Sequence, residues 1–351
     1  MEDDFIGVLV QHSPAILEKY RVRVEDYLYM VSSVKNTEIA NAIKYHFGWL
    51  DQEGNATSSM QGKGIRSSLC MFACESVGGV LDNALQGAAA VELVHNFSLV
   101  HDDIQDQDEE RRHRPTVWSI WGVSKALQVG NYIRILSDLT VKNNLNQIMD
   151  NNLTLRCTET LSEAYLETVE GQYLDLEYEG KLDITTKEYL EMISRKTGAL
   201  IGCALKLGAL LGTADQDTVK GMSGVGRILG LVFQIRDDYL GIWGLEENTG
   251  KNVANDVRRR KNSLPIIHAL QNGTQTAVKE ISKIYRQDDI DEDDVERVLS
   301  ILNDVGTTEY MDKLANSYAY NAVSLLETIK IDKVYRIELQ ELIAFLLERE
   351  S

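Results

Sequence analysis

Two stretches of this chain end an apolar run in paired aspartates. One is Val94-His95-Asn96-Phe97-Ser98-Leu99-Val100-His101-Asp102-Asp103-Ile104-Gln105-Asp106, the other Gly230-Leu231-Val232-Phe233-Gln234-Ile235-Arg236-Asp237-Asp238. Apolar residues on nearly every side of a helix mean a buried helix. Carboxylates at its C-terminal end then meet the negative end of the helix dipole, where cations are preferred. If the two ends face each other, Asp102, Asp103, Asp106, Asp237 and Asp238 share one cavity. That is tolerable when some are protonated or when divalent cations bridge them. The three- and four-residue spacings to Asp106 turn the first three aspartates to one side of a helix. Magnesium suits such an open array, because it takes one or two carboxylates and fills its octahedron with water and phosphate oxygens. A calcium EF-hand starting at Asp106 fails: Arg111 stands where glycine is required and Val117 where the bidentate glutamate belongs.

Basic residues fall in separate groups: Lys63 with Arg66, Arg111 with Arg112, then Lys196, Lys251 and Lys261. Arginine forks and lysine ammoniums are the usual partners of phosphate groups. Beside two aspartate pairs, they point to one phosphate ester held through metals and a second held by direct cationic contacts. There is no GxSxG elbow, no Cys/His arrangement of known spacing and no GxxxxGK[ST] loop. The chemistry expected is metal-assisted activation of a phosphate leaving group.

The elements that must position these groups read as helices. Only three prolines occur in 351 residues, with 44% hydrophobic and 26% charged residues, so little interrupts helix formation. The pattern predicts helices over 69–77, 84–106, 117–142, 152–178, 186–212 (interrupted near Thr197-Gly198) and 221–239, with loops over 51–64, 107–115 and 241–260. An acidic stretch, 288–294, reads as a solvated loop and helix start, where aspartates suit the dipole. No long linker or repeat divides the chain, so residues 1–351 are expected to form a single all-α domain. The net charge of −18 argues against nucleic acid and anionic membrane surfaces as partners. The four cysteines (Cys70, Cys74, Cys157, Cys203) lack CxxC spacing and read as buried free thiols of a reducing compartment. An acidic N-terminus, no apolar run of membrane-spanning length and no C-terminal prenylation cysteine lead to the expectation of a cytoplasmic protein.

Taken together, these residues resemble the trans-isoprenyl diphosphate synthase family. Gly62-Lys63-Gly64-Ile65-Arg66 is similar to its GKxxR motif, and Asp102 to Asp106 with Arg111-Arg112 to its first aspartate-rich motif. Gly171-Gln172-Tyr173-Leu174-Asp175, Lys196-Thr197-Gly198, Gln234 to Asp238, Gly250-Lys251 and Lys261-Asn262-Ser263-Leu264-Pro265 continue the series in the family's order. The resemblance implies a helical bundle around a deep central cavity, usually dimeric. It implies three magnesium ions held chiefly by Asp102, Asp106 and Asp237, with Asp103 and Asp238 assisting directly or through water. The allylic diphosphate would meet these metals with Arg111, Lys196, Lys251 and Lys261, and isopentenyl diphosphate would sit on Lys63, Arg66, His95 and Arg112. Thr197, Gln234 and the Lys196 carbonyl would steady the allylic cation. One departure touches the metal site: the second motif usually carries a third aspartate, and here Gly241 takes that place.

Product length follows from the same helix. Phe97 lies five residues before Asp102, roughly 7.5 Å along the axis at about 1.5 Å per residue, and Ser98 beside it is small. An aromatic and a small residue at these places, with no insertion in the first motif, resemble the archaeal-type geranylgeranyl (C20) enzymes. A farnesyl (C15) or longer-chain (C25 and above) synthase, a terpene cyclase and a noncatalytic partner subunit are the alternatives. A cyclase has no second substrate for Lys63, Arg66, His95 and Arg112 to hold, and a noncatalytic subunit is expected to lose aspartates.

Overall fold

The segment Ala199–Gly212 is apolar at every position but Lys206, and a helix with no polar face is stable only when surrounded. The computed structural model describes residues 14–57, 62, 64–148, 151–213, 215–244 and 253–349, with backbone alone over 143–148. Lys63, Gly250 and Lys251 lie outside the described residues.

The chain runs α1 (Ala15–Lys19), α2 (Arg21–Val31), α3 (Thr37–His46), α4 (Ile65–Ser76) and α5 (Leu81–Gln105), then a short hairpin, β1 (Glu110–Arg111) and β2 (Arg114–Pro115). It continues through α6 (Val117–Trp121), α7 (Val123–Ile148), α8 (Asn151–Tyr178), α9 (Thr186–Ile193), a π turn over Ser194–Gly198, α10 (Ala199–Gly212) and α11 (Gln216–Trp243). Helices α12 (Asn255–Arg258), α13 (Leu264–Asn272), α14 (Gln275–Ile284), α15 (Glu292–Asp304), α16 (Thr307–Glu327) and α17 (Lys333–Glu348) complete it. The architecture is all-α, as the residue pattern predicts.

Helix α10 packs against α4, α5, α8 and α11. Its leucines join Phe72 of α4, Ala88–Val91 and Leu93 of α5, Leu161 of α8 and Leu229 of α11 in one large core. The four cysteines are buried and unpaired. A second cluster gathers Ile242, Val257, Ile266, Ile281, Val295 and Leu302 beyond the end of α11, and a third joins α9 to Ile235, Leu264 and Met311.

Four boundaries differ from the sequence reading. Gly122 takes a left-handed φ of 82° and divides the helix expected over 117–142 into α6 and α7. The interruption near Thr197 is a π turn rather than a break. Helix α11 runs on to Trp243 before the loop, which itself contains α12. The charged loop over 107–115 folds into the hairpin, with Glu110 opposite Pro115 and Arg111 opposite Arg114. Its two turn residues, Arg112 and His113, have φ of 55° and 59°, the positive values that a two-residue hairpin turn demands. The acidic stretch behaves as read, with Asp291 capping α15 by accepting the Asp294 N–H at 2.8 Å.

Candidate active site at the cavity mouth

The aspartate-bearing ends of α5 and α11 flank a single cavity of about 630 Å³. Its lining includes Arg66 of α4; His95, Phe97, Ser98, Asp102 and Asp106 of the α5 segment; Arg111 and Arg112 of the hairpin; Lys196 and Thr197 of the π turn; Gln234 and Asp237 of α11; and Lys261. Residues far apart in the chain, from Arg66 to Lys261, thus line one cavity.

Asp103 and Asp238 do not line it. Asp103 is 1% exposed and accepts from Arg111 Nε at 2.5 Å. Burial pushes its carboxyl up to about 6 against the pull of Arg111. Asp238 is fully buried and accepts from Tyr189 Oη at 2.6 Å, Gln234 Nε2 at 3.0 Å and the Leu264 N–H at 3.3 Å. Burial raises it too to about 6, despite Lys261 and these donors. Each turns away from the cavity because successive helix positions point about 100° apart. Asp103 anchors the hairpin arginine, and Asp238 orients the Gln234 amide, whose oxygen accepts from Thr197 Oγ1 at 3.1 Å.

The inward carboxylates meet cations instead. Lys196 Nζ lies 3.6 Å from Asp102 Oδ1 and donates to Asp175 Oδ2 at 2.5 Å. Burial alone would depress this ammonium, but Asp102 and Asp175 outweigh it and hold it raised. Arg111 Nη2 stands 3.9 Å from Asp102 Oδ2. Asp237 accepts from Arg349 Nη2 at 3.0 Å, and that guanidinium lies 4.0 Å over the Phe233 ring. Asp106 has the weakest compensation: burial, then Asp102, raises it to about 6, with Lys196 opposing.

Two glycines set the Lys196 backbone. A Cβ at Gly171 of α8 would lie 2.6 Å from Lys196 Cα, and one at Gly230 of α11 would lie 2.9 Å from Gly198 N. Only hydrogen at these positions lets both helices clamp the π turn, a widened turn of the kind found at functional sites.

On the other side, Arg66, His95 and Arg112 form a cationic compartment. Burial holds His95 well below its ordinary range, with Arg66, Arg112 and Arg111 adding to the depression, so the ring is neutral at pH 7. Arg66 Nε is buried with no hydrogen-bond partner among the described residues. Arg112 lies against the loop before α4: a Cβ at Gly62 would be 2.7 Å from its Nη2. Arg111 ends strand β1 and pairs with the aspartates, whereas the left-handed turn that begins at Arg112 carries the next arginine toward this second compartment.

Phe97, also in the cavity lining, makes edge contacts with His101 (centroids 4.6 Å apart) and Tyr165 of α8 (5.5 Å). Ser98 Oγ donates to the His95 carbonyl at 2.7 Å.

The donor set fits a hard divalent cation. Among the described residues no three His, Cys, Asp or Glu side chains stand close enough to hold an ion by themselves. Asp102, Asp106 and Asp237 are the carboxylate donors that line the cavity, and magnesium typically takes one or two such groups with water and phosphate oxygens.

Tyr189 and Arg349 do not stand out in the sequence, and Asp175 does so only as part of a motif, with no role given. Asp175 closes the motif beginning at Gly171 and was legible there. Tyr189 and Arg349 carry no local signal, since burial and a distant partner define them.

Two aspartate-bearing helix ends over one cavity, with arginines at its other side, are the arrangement that the resemblance to the trans-prenyl synthases implies. Residues 48–302 match the polyprenyl synthetase family model, and the chain belongs to that family. It is 36% identical over 318 residues to the geranylgeranyl diphosphate synthase of Mycobacterium tuberculosis (strain ATCC 25618 / H37Rv), covering 89% of this chain and 88% of that one. A (2E,6E)-farnesyl diphosphate synthase of the same strain is 35% identical over 313 residues, covering 88% and 86%. The crystal structure of polyprenyl synthetase from Streptomyces coelicolor A3(2) superposes with a TM-score of 0.89 at 33% identity, covering 95% of this chain and 98% of that one.

Asp106 predicts a pH signature. A carboxyl raised to about 6 holds its proton below that pH, and a cation must displace it. The rise in Tm caused by added magnesium should be largest above about pH 7 and shrink as the pH falls through about 6, the cation affinity dropping roughly tenfold per pH unit below it. A rise that stays constant from about pH 5 to 8 would remove Asp106 from the ligand set.

Proposed function

We propose that this trans-prenyl synthase condenses isopentenyl diphosphate with allylic diphosphates and releases geranylgeranyl diphosphate. The observation that carries this reading is the division of one cavity into a carboxylate wall and a cationic compartment, where the buried Arg66 Nε lacks a partner among the described residues. An unpaired buried donor is costly, and a diphosphate oxygen would satisfy it.

In this reading Asp102, Asp106 and Asp237 hold magnesium, three ions per site as the resemblance implies, while Asp103 and Asp238 act from behind the wall. Bound magnesium supplies electrophilic pull on the allylic diphosphate. Arg111, Lys196, Lys251 and Lys261 take the remaining charge of that group, and Lys63, Arg66, Arg112 and the neutral His95 hold isopentenyl diphosphate. The allylic C–O bond breaks with its electron pair leaving on diphosphate, and the isopentenyl double bond attacks the allylic carbon. The proton then lost goes to the departed diphosphate. Thr197 and Gln234, fixed by Asp238, present ordered dipoles to the carbocation. The chain acts as a single domain, and its buried thiols suit the reducing cytoplasm.

A homodimer completes the proposal. Ile135 is 58% and Leu166 60% exposed, and with Leu127 and Leu139 of α7 and Leu155, Val169 and Tyr173 of α8 they make an apolar face. The i, i+4 spacing on α7 and the common face on α8 suit a second copy of the chain.

The deciding assay incubates purified protein with magnesium, labelled isopentenyl diphosphate and each C5, C10 and C15 allylic diphosphate, and sizes the products. Condensation to C20 is expected. A C15 end point would favour the farnesyl reading, which the second mycobacterial relative supports, and no condensation with any primer would sink the enzyme in favour of a noncatalytic subunit. Phe97→Ala should lengthen the product by at least one isoprene unit; an unchanged distribution would remove Phe97 as the floor. Ile135→Glu with Leu166→Glu should shift the sedimenting species from dimer to monomer, and wild-type sedimentation would place the interface elsewhere.

A further inference from the structure

Gly241 ends the second aspartate motif without the third carboxylate usual in the family. Just beyond it the Ala254 N–H donates to the Ile242 carbonyl at 2.9 Å, which draws the start of α12 onto the end of α11. That contact lays Asp256 on Gly241: a Cβ at 241 would lie 2.6 Å from Asp256 Cγ and 3.0 Å from its Oδ1. Asp256 is 8% exposed, so its carboxylate would have to move through packed surroundings to make way. The carboxylate therefore occupies the volume that a side chain at 241 would need.

The same carboxylate faces Lys261. Asp256 Oδ2 lies 3.9 Å from Lys261 Nζ, and the Asp256 carbonyl accepts from the Lys261 N–H at 2.9 Å. The backbone closes this short loop by taking left-handed φ at Ala254 (59°) and Arg260 (54°), a conformation that costs energy in residues other than glycine. Lys261 lines the cavity and Asp256 stands behind it. Asp256 first, then Asp238, Asp237 and Asp175, hold the Lys261 ammonium well raised.

Resting on the reading of the cavity mouth as a diphosphate site, we propose that Asp256 is a positioning residue. It supplies from α12 the carboxylate absent at 241 and holds Lys261 toward the diphosphate. Gly241 is then a requirement of this arrangement and not a lost ligand. Restoring the usual aspartate at 241 alone would put two carboxylates into one volume.

Full-length variants are compared by calorimetric titration with inorganic diphosphate in the presence of magnesium and, separately, by ligand-free thermal unfolding. Asp256→Asn and Lys261→Ala should each weaken diphosphate binding about tenfold, and the double variant also about tenfold rather than about a hundredfold, because one residue acts through the other. Wild-type affinity in Asp256→Asn, or a double loss equal to the product of the single ones, overturns the positioning role. Gly241→Ala should weaken binding as Asp256→Asn does and also lower Tm. Combining it with Asp256→Gly should recover the Tm, and Gly241→Asp with Asp256→Gly should recover both Tm and affinity. Full Tm and affinity in Gly241→Ala overturn the pairing. A wild-type protein that binds no diphosphate fails the functional reading, and the Tm comparisons then decide the Gly241–Asp256 pairing independently.

Discussion

Carboxylates crowded at one cavity that is only partly open to water are the constraint on which the rest of this structure depends. Carboxylates close together repel strongly where water is scarce, and burial has already raised Asp103, Asp106 and Asp238 to about 6. The fold answers with cations brought from every side: Arg111 from the hairpin, Lys196 from the π turn, Lys261 from the loop after α12 and Arg349 from the end of α17. Their closest ion pairs fall on Asp103, Asp175, Asp256 and Asp237, and Arg111 and Lys196 both approach Asp102 as well, so Asp106, the one least compensated, is where an added cation gains most.

Holding these groups in place requires backbone of uncommon shape. The π turn offers Lys196 and Thr197 to the cavity because Gly171 and Gly230 let two helices touch its main chain. The hairpin turns on Arg112 and His113 in left-handed conformation, and so divides adjacent arginines between two compartments. Such strain persists where the surroundings over-determine it. Here the ion pair with buried Asp103 and the hydrogen bond from Thr116 N to the Glu109 carbonyl at 2.9 Å do so.

Doubling of each aspartate gives two tasks to neighbouring residues. Asp102 and Asp237 face the cavity, while Asp103 and Asp238 face into protein and fix the arginine and glutamine that the cavity uses. An identical side chain thus serves as a wall in one position and as a bracket in the next, because about 100° of helix rotation separates their surroundings.

Much of this was legible in the sequence. Scarce prolines and long apolar runs determined a helical chain, and carboxylates ending two such runs determined a cation-demanding site, because no isolated helix can carry them buried without compensation. The family motifs, in order, named the charged residues of the cavity's lining and about half of the lining as a whole. Tertiary structure alone decided which aspartate of each pair faces inward, that the charged loop is a hairpin, and that Tyr189, Arg349 and Asp256 belong to the site. Those residues lack any local pattern: their roles come from burial beside a partner far along the chain, and only packing sets that distance. Gly241 shows the difference most sharply. In sequence it is a missing ligand, and in three dimensions it is the space in which Asp256 stands.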